Sequence, residues 1–382
     1  MRLDRLLVKE LKAILTNPVI ILTMFAGVVF YSFLYPLPYV NQTPTEQMVS
    51  VVNLDKSLTS YQLERMVDAT PQVKLVDRSH TIQEAKEKFL DGKVKGILLI
   101  PRHFYRDLLM GKSPTLAFAG DAAYFLVYGT VVEGLAKASG TLAAKAKVSR
   151  LLMDGVPLIA AEHQYAATTI NLKPTFNPDM GYVNYVVPAV FVLILQQTLA
   201  MSIGLLGGSQ KFGSGYWNAV PTLRLLLVRC SIFVVIYYFL SMYYFGFSFD
   251  YYQISRLASP LTLLAILAPF LYTSAFIGHI LGLLLPRREL VTVVILISSM
   301  PLIFSTGFIW PLESVPQGMV WLSKAIPSTP AIQSFLKVNQ MGGDFSLILP
   351  QWSLLWGQFV IWGLLALVVD RKYRYKVIKQ VS

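Results

Sequence analysis

The stretch FNPDMGYVNYVVPAVFVLILQQTLAMSIGLLGG, Phe176 to Gly208, decides how this chain is read. Tyr182 to Leu206 exceeds the roughly 20 apolar residues that a helix needs to cross a bilayer. Its only strongly polar members are Asn184, Gln196 and Gln197. Before it lies a long segment with the alternation of a water-soluble α/β domain, and after it almost everything is apolar. The chain re-enters a membrane here and stays near it. Composition agrees: 54% of the 382 residues are hydrophobic and 14% are charged, against about 25% charged in an average soluble protein. The class this defines is a polytopic membrane protein.

Working back from Phe176, Asp121 to Asp154 has few breakers and reads as one or two long helices. Upstream of it, strands are expected at Met48 to Leu54, Val73 to Val76, Val94 to Ile100 and Thr115 to Ala119. Helices are expected at Leu58 to Ala69, from Thr81 to about Leu90, and near Phe104 to Met110. Thr81 and Glu84 have the spacing of a capping box. Such alternation indicates an α/β domain, with Val51, Leu63, Ile82, Phe89, Ile97 and Leu99 on its apolar faces. Pro36, Pro38 and Pro44 stiffen the approach to it from a first span at about Val19 to Tyr35. The apolar run from Asn17 to Leu37 is too long for a signal h-region and lacks an A-x-A site, so it is expected to stay as an anchor. Met1 to Thr16 places Leu3, Leu6, Leu7, Leu11, Ile14 and Leu15 at helical spacing, with Arg2, Arg5, Lys9 and Lys12 between them. That pattern suits an interfacial helix better than the first turns of a span, because Asn17-Pro18 interrupts it.

Working forward, four further spans are expected at about Leu223 to Phe245, Pro260 to Leu285, Leu290 to Ile309 and Trp352 to Val369. The domain plan is then residues 1–16 as interfacial helix, 17–37 as transmembrane helix 1, and 38–180 as an extracytoplasmic α/β domain with long helices. Residues 181–382 carry transmembrane helices 2 to 6, with a re-entrant segment near 310–335 and a basic tail from Asp370. Thirteen basic residues fall on one side (Arg2, Arg5, Lys9, Lys12, Lys211, Arg224, Arg287, Arg288, Arg371, Lys372, Arg374, Lys376 and Lys379). Three (Arg256, Lys324 and Lys337) fall in the short loops opposite. By the positive-inside rule both termini are cytoplasmic, which six spans satisfy, and the α/β domain lies outside.

No catalytic constellation is visible. Gly111-Lys112-Ser113 resembles the end of a phosphate loop, but Arg106 stands where the upstream glycine is required. His80, His103, His163 and His279 lack metal-ligand spacing; His279, inside a span, reads as a polar contact between helices ahead of a group facing a pathway. The net charge of +12 is explained by lysines and arginines beside spans, where they meet anionic lipid, and nucleic acid is not an expected partner. Cys230 is the only cysteine; it lies in an apolar run, so the polar domain holds no disulfide. Two segments stand out instead. Gly207 to Thr222 is a cytoplasmic loop with Gln210, Lys211, Phe212, Tyr216 and Trp217. Its aromatics fit two readings equally: anchors for a partner protein or a belt at headgroup level. Gly307 to Pro316, with Trp310, Pro311 and Glu313, breaks a helix at the outer face and suits a re-entrant or interfacial hairpin covered by protein.

In order along the chain, MRLDRLLVKELKAILTNP, VVNLDKS, EAKEKFLDGKVKGILLIPRHF, FNPDMGYVNYVVPA and GFIWPLESVP resemble the permease subunit of a type-2 ABC exporter. The likeness is to the six-span group with a large extracytoplasmic domain between the first two spans. It implies a non-catalytic permease that binds no cofactor itself and pairs with a second permease, as homodimer or heterodimer. It also implies ATP-Mg hydrolysed on a separate ABC ATP-binding subunit, and export of amphipathic or drug-like compounds or envelope components from a bacterial inner membrane. Bacterial relatives often work with a periplasmic adaptor and an outer-membrane channel. The loop departs from the acidic, Gly-Thr-containing coupling sequence often found after the second span, which bears on how an ATPase docks. The alternative is a membrane-anchored receptor or envelope-interaction protein that uses its exterior domain without transport. An ion-coupled carrier is disfavoured by the scarcity of carboxylates in the spans.

Overall fold

The computed structural model describes residues 2–41, 43–164, 175–177, 181–211 and 215–381. The chain forms two compact units, residues 43–173 and residues 1–42 with 174–382. The second unit begins with α1 (Leu3–Leu15). Asn17 then caps the next helix through its side-chain oxygen, which accepts from Val19 N at 3.1 Å and Ile20 N at 3.4 Å, and Pro18 takes the first helical position. This is why Asn17-Pro18 separates α1 from the span: the cap fits only a chain that starts a new helix. The span consists of α2 (Pro18–Ile21), a π-turn over Leu22–Ala26 and α3 (Gly27–Leu34).

In the α/β unit the order is β1 (Gln47–Asn53), α4 (Leu58–Asp68), β2 (Val73–Arg78), α5 (Ile82–Leu90), β3 (Gly96–Ile100), α6 (Phe104–Leu109), β4 (Ala117–Gly120), α7 (Phe125–Met153) and α8 (Leu158–Gln164). The sheet runs β2-β1-β3-β4, with β1 parallel to β2 and β3, and β4 antiparallel to β3. Ser57 caps α4, and Thr81 caps α5 by accepting from Glu84 N at 3.2 Å, while Glu84 Oε2 accepts from His80 N at 2.9 Å. Helices cover both faces. Val49, Val51, Leu63, Val73, Leu98 and Val131 make the larger core under α4 and α7, and Val52, Ala85 and Ile97 make a smaller one under α5. Burial on both faces is what the near-continuous apolar runs of parallel strands require. Ile82 is corrected: it is 52% exposed at the first position of α5, where the cap points it outward and Ala85 takes the inner position.

The remaining helices are α9 (Val183–Gln210), α10 (Thr222–Met242), α11 (Phe249–Tyr251), α12 (Pro260–Leu284), α13 (Glu289–Ser305), α14 (Gln317–Ser323), α15 (Ser328–Phe335) and α16 (Leu349–Val381). Among the described residues, five helical stretches are long and apolar enough to cross a membrane: Pro18–Tyr39, Val183–Gln210, Thr222–Tyr251, Pro260–Leu284 and Phe345–Tyr373. The expected fifth span is shorter than read: α13 has 17 residues because Gly307, at φ +90°, turns the chain out of the helix. The apolar window of α9 is wholly buried, ringed by α3, α10, α12, α13 and α15, so the stretch that decides the sequence reading is the core of the membrane unit. Its closest neighbour is α12, and glycine is why. A Cβ on Gly278 would stand 2.4 Å from Ala200 O, and one on Gly282 2.4 Å from Gly204 O. Small residues four apart let two backbones meet, the usual solution where lipid supplies no hydrophobic drive.

Candidate functional site

The site is built where α1, the end of α9, the loop 215–221 and the start of α10 converge. On α1 the buried face is Leu6, Glu10 and Ile14, while Leu3, Leu7, Leu11 and Leu15 are exposed. The apolar stripe read from sequence is thus divided: one edge packs on protein and the rest is exposed. Arg2, Arg5, Lys9 and Lys12 are all exposed. Leu6 packs with Val220, Leu225 and Val228, and Tyr216 and Trp217 lie against that cluster.

The buried Glu10 is the unexpected member. Its carboxylate is 0% exposed and faces Arg229 of α10, 2% exposed, in a two-pronged pair: Arg229 Nε donates to Glu10 Oε2 at 2.8 Å and Nη2 to Oε1 at 2.8 Å. Arg229 Nη2 also donates to Gln210 Oε1 at the end of α9. A buried ion pair persists only where geometry and extra hydrogen bonds offset desolvation, and a bidentate guanidinium with a third acceptor meets that condition. Above it, Lys9 Nζ stands 5.6 Å from the centroid of the Tyr216 ring, and Tyr216 Oη donates to Lys9 O at 3.4 Å. Burial, and then the Glu10 charge, push the Tyr216 hydroxyl up to about 12.

Of the five loop residues singled out from sequence, Tyr216 and Trp217 therefore pack against the cluster that holds Leu6 of α1, and Gln210 joins the Glu10 pair through Arg229. Gln210 belongs to α9, which runs further than the loop boundary at Gly207 implied. Lys211 turns the other way: its Nζ donates to Leu285 O at 2.9 Å and stands 5.1 Å from the centroid of the Tyr373 ring, and burial lowers its pKa. Phe212 lies outside the described residues. Sequence reading missed Glu10, Arg229 and the pairing of His279 with Asp370, whose Nε2 and Oδ1 are 3.6 Å apart between α12 and α16. Asp370 is corrected from the first residue of a tail to a buried position inside α16. The signal for Arg229 was present, since it is the one charge inside the apolar run Leu225 to Phe245.

At the other named segment, Gly307 places no side chain against Leu312, where a Cβ would stand 2.7 Å away. Trp310, Pro311, Glu313 and Pro316 are exposed. The chain then returns through α14 and α15, and neighbouring helices satisfy its backbone. Gln196 Oε1 accepts from Ser328 N at 2.7 Å, Gln358 Nε2 donates to Lys324 O at 2.6 Å and Trp362 Nε1 to Ala325 O at 3.1 Å; in return Gln333 Nε2 of α15 donates to Thr306 O at the end of α13 at 2.9 Å. Irregular backbone at membrane depth needs such cover. Between this hairpin, α9, α12 and α13 opens a cleft lined by Gln196, Gln197, Ser298, Ser299, Ser305, Ser323 and apolar side chains, with no charged residue among the described residues.

Fold and site together define a polytopic helical membrane protein with an inserted α/β unit, whose buried polar groups join helices. The sequence model of the ABC-2 family transporter protein matches residues 18–368, and the chain belongs to that family. Membership makes it a multi-pass membrane subunit of an ABC transporter, which works with an ABC ATP-binding subunit. Comparison with curated proteins finds no match.

Proposed function

We propose that the chain is the permease of an exporter in a bacterial inner membrane, with both termini cytoplasmic, and that it moves amphipathic or drug-like compounds or envelope components outward. ATP-Mg acts on the partner subunit, and a second permease completes the path. The observation that carries the reading is the junction of Glu10, Arg229 and Gln210. It ties α1 to α10 and to the central helix α9 by charge-assisted bonds inside a dry site, where such bonds are strong. A push received at α1 or at the adjoining loop is therefore passed to α9 as a displacement of a packed body. α9 carries Gln196 and Gln197, which line the uncharged cleft, so a shift there changes the cleft. An uncharged lining with a few amide and hydroxyl groups suits amphipathic cargo. Adaptor and outer-membrane channel are further partners the reading admits, and Phe212 remains part of the proposed loop.

The test is co-expression with the ATP-binding subunit, tagged purification and measurement of ATP hydrolysis. The wild-type chain is expected to retain the ATPase. Replacing Tyr216 and Trp217 together by Ala removes two aromatics beside α1, each a group of the size that contributes about 2 kcal/mol or more at an interface. The double variant should reach the membrane, retain less ATPase and lose export. If no ATP-binding subunit copurifies with the wild type, the exporter reading falls and the receptor reading takes its place. Normal coupling in the double variant would confine these aromatics to the headgroup belt and move docking to α1 alone.

A further inference from the structure

In the α/β unit, α7 runs past the core it helps to build. Val131 and Leu135 are buried, and from Ser139 onward the helix forms one wall of a groove of about 640 Å³, with the turn after α6 as the other. The floor is apolar, with Leu108, Leu116 and Leu142. Lys112, Lys147 and Arg150 line it as well, and among the described residues no Asp or Glu does. Arg150 reaches across to Gly111, where a Cβ would stand 1.9 Å from its Nη1. With φ at +71°, Gly111 both ends α6 and leaves the space the guanidinium fills. Elsewhere in this unit Arg78, Lys88, Arg106 and Lys137 each pair with a carboxylate. Lys112 and Arg150 have no carboxylate partner among the described residues. An apolar floor beside Lys112 and Arg150 is complementary to a chain with a negative head.

We propose that this groove binds a single-chain anionic amphiphile, its acyl chain on Leu108, Leu116 and Leu142 and its carboxylate or phosphate between Lys112 and Arg150. Burial of methylenes along the floor supplies affinity, and the two cations select a charged head over a neutral one. The site is independent of the exporter reading, and its test reads binding alone. The full chain is placed in discs of zwitterionic phosphatidylcholine and exposed to diazirine-bearing hexadecanoic acid or the matching hexadecanol. After irradiation, peptides are mapped. The acid should label residues 104–116 and 142–150, and the alcohol should label them about tenfold less, as expected when charge-assisted contacts are lost. Replacing both exposed cations, Lys112→Gln with Arg150→Gln, should reduce acid labelling to the level of the alcohol, and Lys112→Arg with Arg150→Lys should keep it. Equal labelling by acid and alcohol, unchanged labelling in the Gln pair, or full displacement by millimolar inorganic phosphate alone would each overturn the proposal, the last because a bare anion would then suffice.

Discussion

At Glu10 and Arg229 the loss of one side chain is expected to cost more than the loss of both. Removing one partner leaves a buried charge, at a cost of about 3–5 kcal/mol, whereas replacing both by apolar residues is often neutral. Glu10→Ala is therefore expected to lower the thermal midpoint of the detergent-solubilised chain well below that of Glu10→Leu with Arg229→Leu, which should stay near wild type while losing export. Equal midpoints for the two variants would mean that the pair is not buried as described. In the α/β unit, Asp77 titrates informatively. Partial burial would raise its pKa, but hydrogen bonds from Lys88 at 2.7 Å, Ser79 at 2.6 Å and Ser50 at 2.7 Å outweigh this and hold it at about 2, below the ordinary 3.8. The folded form thus favours the carboxylate. Its contribution is complete above the unfolded value and is lost as pH falls from about 4 toward 2. The stability difference between wild type and Asp77→Asn should be constant from pH 5 upward and shrink over that window; a difference that persists at pH 2 would assign the loss to something other than this charge.

Among elements, α9 and α12 are the decisive pair. The same change, glycine to alanine, should act in opposite directions at two sites. At Gly278 the new methyl group would meet Ala200 O at 2.4 Å, and backbone cannot rotate away, so overpacking of about 1–3 kcal/mol or more is expected. At Gly357 of α16 nothing lies within 4 Å, and the helix should be unchanged or more stable by up to about 1 kcal/mol. Thermal midpoints of the two variants decide the matter, and a tolerated Gly278→Ala would show that α9 and α12 do not meet backbone to backbone. The short α13 follows from its surroundings too: Gly307 at positive φ ends it, and the hairpin after it is held by side chains from α9 and α16.

At the scale of the whole molecule, the distribution of charge bears on the side of the membrane that the α/β unit occupies. The asymmetry of thirteen basic residues against three predicts it outside. A cysteine at Lys93 should react with an impermeant thiol reagent added to intact cells, and one at Lys376 should react only after lysis. Cys230 is buried, so background labelling should be low. The reverse pattern would invert the topology and with it the proposed direction of coupling.

Hydropathy and periodicity are properties of the chain itself, and they determined what depends on local pattern: the long spans, the break at Asn17-Pro18, the Thr81 cap and the alternation of strands and helices. Ile82 shows the limit, because a cap fixes which way the first turn of a helix points and composition does not. Only the tertiary structure decided that Glu10 and Arg229, 219 residues apart, form one buried pair, that Asp370 lies opposite His279, and that Gln196 caps the returning hairpin at Ser328. A single charge in an apolar run marks a site, but its partner is set by which helices pack together, and that depends on small residues such as Gly278 and Gly282 whose contacts are formed by backbone.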